Sequence, residues 1–567
     1  MASDGENVLS GAEALVHMLD AFGVKHIFGL CGDTSLPFYD AMHRLDHDIT
    51  HVLTRDERHA TYMADAYARV SKRVGVCEGP SGGGATYILP GLVEANDSSV
   101  PVLAITTDVS VSSRGHYPLT ELAQDEMFRQ LTKWNGVVDR AERLPAMLRA
   151  AFRAMTTGRP GAAHLGLPYD VQNAQVSADD IWVQAEFGRY PAWRYGPDPK
   201  AVDAAIERLL SSKRPVVICG GGVVLSGGEA ALKGLAERLN LVVATTISGQ
   251  GALSDTHANC LGVVGSNGGT PATRAAVEDA DLIVFVGCRA GSVTTERWRV
   301  PSSAAAIIHI DSDPMVISAN YRTEVALVSD AKLALEAVHA AIDANGPCKV
   351  DFSGTERVAS AKKQKFAAFE KLAVSGERPI RPERVVRELH RVLPDDAIIV
   401  ADPGTPCPYF SAFYDVPMPG RHFISNRAHG ALGFSLPAAI GAQLGQPDAK
   451  VVSVMGDGSF GFSVGEFETV TRLNLPIIFV VFSNSSYGWI KAGQKSGFEQ
   501  RYFSVDFNPT DHAAVASAYG IKSWRVEDPE QLGTVLAEAA EHGGPTLVDV
   551  ISQPLQEAEA PVSEWVA

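Results

Sequence analysis

The sequence predicts an α/β fold made of three domains, each with a parallel sheet flanked by helices. A chain of 567 residues exceeds the size at which a single hydrophobic core keeps growing. Short runs rich in β-branched residues alternate with Ala-rich stretches of helical period along the chain, which is typical of parallel α/β domains. Two irregular segments interrupt this alternation, so we divide the chain into three blocks.

The first block covers residues 1–188, and it runs from a helical stretch at 11–23 to an apolar strand at 162–168. A segment rich in Pro, Trp and Tyr at 189–200 has the composition of a linker. The second block covers residues 200–346, with apolar strands that end in glycine-rich turns. We therefore expect a boundary between two sheets at the linker.

The third block covers residues 377–553 and follows a polar helical stretch at 353–376. The tail, residues 554–567, has no periodicity. It is either a disordered end of the chain or a lid that folds over a substrate entrance with Trp565 as its anchor.

Composition narrows the class of protein. The 66 acidic and 49 basic residues give a net charge of −17, which argues against nucleic acid or an anionic membrane as a general partner. Seven cysteines without a paired spacing indicate reduced thiols and not a disulfide framework or a zinc site. The first residues do not have the pattern of a signal peptide, and no apolar run is long enough to span a bilayer. We expect a cytoplasmic enzyme.

Polar residues follow two apolar strands of the third block. Gly456, Asp457 and Gly458 come directly after the first strand, and Asn484 and Ser486 come directly after the second. Ligands bind at the carboxyl edge of parallel sheets, and Mg²⁺ prefers carboxylate, amide and carbonyl oxygens. Asp457, Asn484 and the carbonyl of Ser486 are thus predicted Mg²⁺ ligands.

The spacing of this motif resembles that of the acetolactate synthase-like family of thiamine-diphosphate enzymes, a group that includes benzaldehyde lyases and 2-hydroxyacyl-CoA lyases. The stretches at 54–70, 79–106 and 429–445 are similar to that family as well. The resemblance implies a pyrimidine-binding first domain, a nucleotide-binding-like central domain and a diphosphate-binding third domain, with thiamine diphosphate and Mg²⁺ as cofactors. One departure is Ser483, which stands where the family has the first residue of an Asn-Asn pair.

The same resemblance implies the residue that activates the cofactor. The family has a glutamate in an Arg-His-Glu motif, and Glu57 follows Arg55 and Asp56 here. Its carboxyl would bond the aminopyrimidine and drive proton removal at the reactive carbon. Asp56 is expected to raise the pKa of Glu57 through repulsion of like charges. Without the resemblance, Glu57 would be interpreted as a carboxylate that stabilises a helix start.

Further cofactor contacts carry over from the family's motifs. Gly430 and Leu432 stand where the family holds the aminopyrimidine, although Leu432 also suits core packing. Gly404 and Thr405 stand where a Gln-His pair contacts the diphosphate. The other predicted cofactor-binding residues are Thr34, Gly456, Gly458, Ser459, Asn484, Ser486, Tyr487 and Gly488.

Departures from the family concern the substrate side. Thr120 stands where acetolactate synthases have a glutamine, and His116 is a new residue on the same loop. His116 is either a proton shuttle or a partner of the substrate oxyanion, or else a surface or structural residue. Gly493, next to Gln494, replaces a tryptophan that shapes the acceptor pocket. These departures favour a wider substrate pocket and an enzyme other than a standard acetolactate synthase.

The central block raises the question of a nucleotide. Gly221, Arg289 and Asp311 match positions that hold FAD in acetolactate synthases, or parts of ADP or CoA in 2-hydroxyacyl-CoA lyases and oxalyl-CoA decarboxylases. The segment after Arg289 departs from the FAD motif, so the domain binds FAD, binds ADP, or is purely structural.

We thus expect a lyase or carboligase that acts on a 2-oxo acid or a 2-hydroxy ketone. The alternatives are a relative of 2-hydroxyacyl-CoA lyase or oxalyl-CoA decarboxylase, with a CoA thioester as substrate, and a catalytically silent regulatory homologue. Because Glu57 and Asp457 must reach one cofactor from opposite ends, the resemblance implies a homodimer or homotetramer with active sites at the subunit interface.

Overall fold

A computed structural model describes residues 8–344, 350–558 and 560–563. It contains three parallel six-stranded sheets with helices on both faces, so the expected α/β class with three sheet-bearing units is confirmed. The expected end of the second block at Gly346 and the expected anchor Trp565 lie outside the described residues.

The first sheet has the strand order β3-β2-β4-β5-β7-β6, and a short antiparallel pair, β1 with β8, closes the unit. Its strands are β1 (Val8–Ser10), β2 (His26–Gly29), β3 (Thr50–Leu53), β4 (Gly75–Gly79), β5 (Val102–Asp108), β6 (Trp134–Val137), β7 (Ala163–Pro168) and β8 (Gln175–Ser177). Its helices are α1 (Gly11–Ala21), α2 (Leu36–Arg44), α3 (Glu57–Ser71), α4 (Gly83–Tyr87), α5 (Leu89–Asp97), α6 (Gln124–Phe128), α7 (Leu144–Thr156) and α8 (Tyr169–Asn173).

The second sheet has the order β11-β10-β9-β12-β13-β14. Its strands are β9 (Pro215–Cys219), β10 (Val242–Thr245), β11 (Cys260–Val263), β12 (Leu282–Val286), β13 (Ala306–Asp311) and β14 (Val325–Val328). The helices are α9 (Pro199–Leu210), α10 (Gly221–Ser226), α11 (Glu229–Leu239), α12 (Pro271–Glu278), α13 (Ala331–Ala344) and the connecting α14 (Gly354–Ala373).

The third sheet has the order β16-β15-β17-β18-β20-β19. Its strands are β15 (Ile398–Ala401), β16 (Phe423–Ser425), β17 (Val451–Gly456), β18 (Ile478–Ser483), β19 (Lys522–Val526) and β20 (Thr546–Ile551). The helices are α15 (Pro382–Val392), α16 (Pro406–Phe413), α17 (Ser435–Gly445), α18 (Asp457–Ser463), α19 (Phe467–Arg472), α20 (Gly488–Gly497), α21 (His512–Ala518) and α22 (Pro529–Glu541).

The first and third units share one hydrophobic core because α3 packs along α17. The approach is close: a Cβ at Gly441 of α17 would collide with the carbonyl oxygen of Met63 in α3. Glycine at position 441 therefore allows α3 and α17 to pack closely and bury their apolar faces against each other. The periodicity of the sequence does not show which two helices pack together.

The tail packs against the rest of the chain over the part that the structure describes. Leu555 is buried, and the backbone near Pro561 and Ser563 bonds residues 266–268 of the central unit. No helix within the described ranges combines the length and apolar character needed to cross a membrane.

Candidate functional site

The predicted metal ligands lie at one edge of the third sheet. Strands β17 and β18 are parallel neighbours, with Gly456 paired to Phe482 in register. Asp457 directly follows β17 and Asn484 directly follows β18, so both side chains start from adjacent strand ends. The two positions, 27 residues apart in sequence, are therefore neighbours in space.

Backbone hydrogen bonds hold the two strand ends together through Asp457. Its Oδ2 accepts the N–H groups of Asn484 at 2.7 Å and Ser485 at 2.6 Å, and its Oδ1 accepts the N–H of Gly458 at 2.9 Å. Burial raises the pKa of the Asp457 carboxyl, while these three N–H groups act in the opposite direction. The carboxylate is thus fixed in place at the start of α18.

Asn484 and Ser486 add oxygen atoms beside this carboxylate. The Asn484 Oδ1 accepts a hydrogen bond from the Ser486 hydroxyl at 3.1 Å, and the Asn484 Nδ2 is buried without a partner. One carboxylate with amide and carbonyl oxygens suits Mg²⁺, which completes its shell with phosphate oxygens and water. Clusters of three or more His, Cys, Asp or Glu suited to a metal are absent from the described residues.

Open space borders the glycines predicted to face the diphosphate. A Cβ added to Gly404, Gly430 or Gly456 would meet no atom within 4 Å, and Gly430 has a φ of +72°, which favours glycine. Gly458 differs, because the ring of Tyr487 packs against it. We call the backbone at Gly404, Gly430 and Gly456 the cradle; a ligand can approach it closely, which fits a diphosphate held through a metal ion.

Other predicted cofactor residues lie in the segments that follow the strands of the third sheet. Thr405 is buried directly before α16, and its hydroxyl lies next to Gly488 at the start of α20. Ser459 is buried in the first turn of α18, whereas Leu432 is half-buried. Thr405 and Gly488 belong to different strand-to-helix connections of the third sheet, and the fold brings them together.

Glu57 is the first residue of α3 and its side chain is buried. Asp56 caps the helix by accepting the N–H of Arg58. The carboxylate of Glu57 lies against Gly84, where a Cβ would be 3.1 Å from its Oε1. Burial is the largest cause that raises the pKa of Glu57, and the negative charges of Asp56 and Glu78 add to it. Asp56 raises the pKa of Glu57, as expected, but burial of the carboxyl has the larger effect.

Two glutamates that sequence analysis did not single out join the first and third units. Glu466 accepts the N–H of Arg55 at 2.9 Å and contacts the His59 ring nitrogen at 2.9 Å. Glu94 accepts the N–H groups of Ala428 and His429, directly before Gly430. These carboxylates are 411 and 335 residues from their partners, so no local pattern could have identified them.

The loop with His116 lies at the surface of the chain. His116 and Tyr117 are exposed, and Tyr117 is 96% exposed. Thr120 and Ser81 share a hydrogen bond at 2.6 Å, and Ser81 is bonded in turn to Thr34 at 3.3 Å. A chain of hydroxyls thus links the loop to the end of β2, which is consistent with both threonines bordering one site.

Gly493 and Gln494 lie in α20, the helix that follows the predicted metal ligands. Both atoms of the Gln494 amide bond the backbone of Phe503, at 3.0 and 3.1 Å. Lys495 donates to the carbonyl of Gln556 in the tail at 2.5 Å. Gln494 therefore holds a neighbouring loop in this structure, while the predicted pocket role of Gly493 remains a prediction.

A cavity of about 350 Å³ lies where the three units meet. It contains the predicted nucleotide residues Gly221, Arg289 and Asp311, together with Arg427 from the third unit and Ser98 from the first. Burial raises the pKa of Asp311 to about 6. The volume of the cavity is sufficient for a ligand such as a nucleotide.

Descriptions of known protein families match parts of all three units of the chain. Three family descriptions match the chain: "Thiamine pyrophosphate enzyme, N-terminal TPP binding domain" over residues 9–127, "Thiamine pyrophosphate enzyme, central domain" over 202–338, and "Thiamine pyrophosphate enzyme, C-terminal TPP binding domain" over 402–550. The matches to the first and third descriptions include Glu57 and Asp457, respectively.

Full-length relatives carry one activity in their names. The chain is 35% identical over 557 residues to a probable acetolactate synthase large subunit of Methanocaldococcus jannaschii, covering 97% of this chain and 93% of the relative. It is 34% identical over 564 residues to the probable acetolactate synthase large subunit of Methanococcus aeolicus, covering 96% and 92%. It is 31% identical over 542 residues to acetolactate synthase isozyme 3 large subunit of Escherichia coli, covering 94% and 92%. The chain belongs to the thiamine-diphosphate-dependent, acetolactate synthase-like family of enzymes.

Proposed function

We propose that this protein is a thiamine-diphosphate- and Mg²⁺-dependent enzyme that forms or cleaves a carbon–carbon bond next to a carbonyl group. Its substrate is a 2-oxo acid or a 2-hydroxy ketone. The observation that carries the proposal is the pair of adjacent strand ends in which Asp457 fixes the backbone of Asn484, beside an open glycine-lined cradle.

Bound thiamine diphosphate supplies a carbon nucleophile that adds to carbonyl groups and stabilises the resulting negative charge. Asp457, the Asn484 amide oxygen and the Ser486 carbonyl would hold Mg²⁺ against the diphosphate. The cradle would bind the remaining parts of the cofactor through Thr34, Gly404, Thr405, Gly430, Leu432, Gly456, Gly458, Ser459, Tyr487 and Gly488.

Glu57 would hold and move the proton at the aminopyrimidine nitrogen. Burial raises the pKa of the Glu57 carboxyl, which favours its protonated form and so its ability to hold this proton. Desolvation, the main cause of the raised pKa, would also strengthen the hydrogen bond between the Glu57 carboxyl and the aminopyrimidine nitrogen.

Two chains would form each active site, because Glu57 and Asp457 act on opposite ends of one cofactor. Large apolar side chains exposed in the isolated chain support an assembly: Leu119 is 85% exposed in the first unit and Phe503 is 82% exposed in the third. A homodimer or homotetramer would cover these surfaces.

The alternative with a CoA thioester as substrate has less support. A CoA thioester carries phosphates that basic side chains of α20 could bind, but Lys491 pairs with Asp506 at 2.6 Å and Lys495 bonds the tail. The expectation of an enzyme other than a standard acetolactate synthase has no support from the comparisons, whose relatives carry that name. The described tail, which packs on α20 through Leu555, is compatible with a lid over the entrance.

A substrate panel tests the reaction class. Purified protein with thiamine diphosphate and Mg²⁺ is incubated with pyruvate, other 2-oxo acids, 2-hydroxy ketones and 2-hydroxyacyl-CoA thioesters, and the products are identified by mass spectrometry. We expect turnover of a 2-oxo acid or a 2-hydroxy ketone. Turnover of CoA thioesters alone would support the alternative, and no turnover of any carbonyl substrate would support the catalytically silent homologue.

Gly493→Trp tests the acceptor side of the pocket. The indole would fill space next to the site, so kcat/KM for the bulkiest accepted substrate should fall by about 10-fold or more, while small substrates lose less. The Kd for thiamine diphosphate should not change, since Gly493 lies more than one helical turn beyond Gly488, the proposed cofactor contact in α20. Equal effects on all substrate sizes would remove Gly493 from the pocket.

We further infer that the cavity between the three units binds an adenine nucleotide. Arg289 and Arg427 supply positive charge for phosphates, and the carboxyl of Asp311 suits ribose hydroxyls. ADP should raise the unfolding temperature of the wild-type protein, and Arg289→Ala should abolish this shift. Yellow protein with flavin absorbance near 450 nm would identify FAD instead, and no shift with either ligand would leave the domain with a structural role.

A further inference from the structure

Three buried polar side chains bond one another next to the strand end that carries the predicted metal ligand Asn484. Ser483, the last residue of β18, donates from its hydroxyl to the carboxylate of Asp549 in β20 and also bonds the His512 Nδ1 at 2.9 Å. The His512 backbone N–H donates to the other oxygen of Asp549 at 3.2 Å. All three residues are at most 6% exposed, so each relies on the others to satisfy its polar atoms.

This network contacts the segments that carry both predicted ligands. Ser483 directly precedes Asn484, whose backbone N–H bonds Asp457. The ring of His512 packs edge-on against Phe460, with ring centroids 4.9 Å apart, and Phe460 lies in the first turn of α18, which begins at Asp457. His512 therefore bridges the helix that starts at one ligand and the strand end that leads to the other.

The direction of the hydrogen bonds follows from the donors available. A serine hydroxyl has one proton, and it is donated to Asp549, so the hydroxyl oxygen accepts from Nδ1–H of His512. Asp549 also receives a weak contact from Arg525 at 3.4 Å. Each bond has a charged or polarised partner, and such bonds fix side chains more firmly than neutral ones.

We propose that Ser483, His512 and Asp549 are positioning residues that set the gap between Asp457 and Asn484 for Mg²⁺. This inference rests on the proposed function, since it requires the metal site. Ser483 stands where the family has asparagine, so in this chain a hydroxyl paired with His512 and Asp549 would position the metal-binding loop. Partners behind metal ligands tune affinity because they restrict ligand orientation.

Ser483→Ala tests the proposal through metal affinity. Mg²⁺ is titrated calorimetrically into the metal-free protein in the presence of a fixed excess of thiamine diphosphate. We expect the Kd for Mg²⁺ to rise by about 10- to 100-fold, the range typical of partners behind metal ligands. At saturating Mg²⁺ and cofactor, kcat should recover to within about threefold of the wild-type value, because a positioning residue does not touch the substrate.

Two further variants separate positioning from fold maintenance. Ser483→Asn restores a group that can donate to Asp549, and it should keep the Kd for Mg²⁺ within about threefold of the wild-type value. Thr546→Val removes another buried hydroxyl of β20, one bonded to the carbonyl of Ala539, and should lower the unfolding temperature without changing the Kd.

If Ser483→Ala does not fold, His512→Phe decides the question. Phenylalanine keeps a ring against Phe460 but removes the Nδ1 donor, and we expect the Kd for Mg²⁺ to rise by about 10-fold. The positioning role is overturned if folded Ser483→Ala or His512→Phe binds Mg²⁺ with wild-type affinity while Asp457→Ala does not bind it. That result would leave the proposed function intact. Retained Mg²⁺ binding in Asp457→Ala would instead overturn the proposed function.

Discussion

Replacing Glu57 by glutamine should slow activation of the bound cofactor by about 10²- to 10⁴-fold, the usual contribution of a positioned acid–base group. Glutamine keeps the shape of the side chain and can still contact the aminopyrimidine. It cannot release and take back an acidic proton, which the buried carboxyl with a raised pKa can do. The measurement is the rate of hydrogen–deuterium exchange at C2 of bound thiamine diphosphate, followed by NMR after acid quench.

Binding of the cofactor should be much less affected in Glu57→Gln, because the proposed ligands of the metal ion lie in the third unit. Glu13→Gln is a matched control, since Glu13 caps α1 in the same unit and lies outside the site. Exchange at the wild-type rate with cofactor bound would show that another group performs the activation, and the assignment of Glu57 would fail.

Co-expression of Glu57→Gln and Asp457→Ala chains tests whether two subunits share a site. In a hybrid dimer one site receives both defects and the other receives neither, so activity should reappear although each variant alone is inactive. Absence of activity in purified hybrids would indicate that each site is built from one chain.

Much of the fold was predictable because it depends on local pattern. Apolar runs such as the one before Gly456 are strands buried on both faces, and they alternate with helices at a spacing that allows only parallel crossovers. The order of strands within each sheet was not predictable, since it depends on which helix faces pack. The packing of α3 against α17 is an example, because it requires the close approach of Gly441 to Met63, two residues that are far apart in the sequence.

The proximity of the predicted metal ligands was predictable, because they belong to one sequence motif. Asp457 and Asn484 follow adjacent strands, so their proximity follows from the parallel sheet. Glu94 and Glu466 were missed, because each binds backbone groups more than 300 residues away. The network of Ser483 was missed for the same reason, since His512 and Asp549 come from separate elements and only the departure at Ser483 was visible in the sequence.

The substrate side was least accessible to prediction. His116 and Gly493 were identified by their departure from a family pattern, which does not indicate what either residue contacts. His116 is exposed in the chain, so in the proposed assembly a second subunit could contribute to its environment. In that assembly, the shape of the pocket at such positions would follow from subunit packing, which no local sequence pattern encodes.

The central claim is that Asp457 anchors Mg²⁺ and, through it, the diphosphate of the cofactor. The most direct measurement is a calorimetric titration of thiamine diphosphate into wild-type protein and Asp457→Ala, each with Mg²⁺ and with a chelator. Since loss of a partner behind a ligand already costs about 10- to 100-fold, loss of the ligand itself should weaken binding by more than about 100-fold.

Asp528→Ala provides the matched control in the same titration. Asp528 also accepts a backbone N–H, at the start of α22, but it follows β19, the edge strand, which β20 separates from the two strands that carry the ligands. The account predicts saturable, Mg²⁺-dependent binding in the wild-type protein and in Asp528→Ala, and no measurable binding in Asp457→Ala. Binding of thiamine diphosphate to Asp457→Ala with wild-type affinity, or binding to the wild-type protein that is unchanged by the chelator, would contradict it.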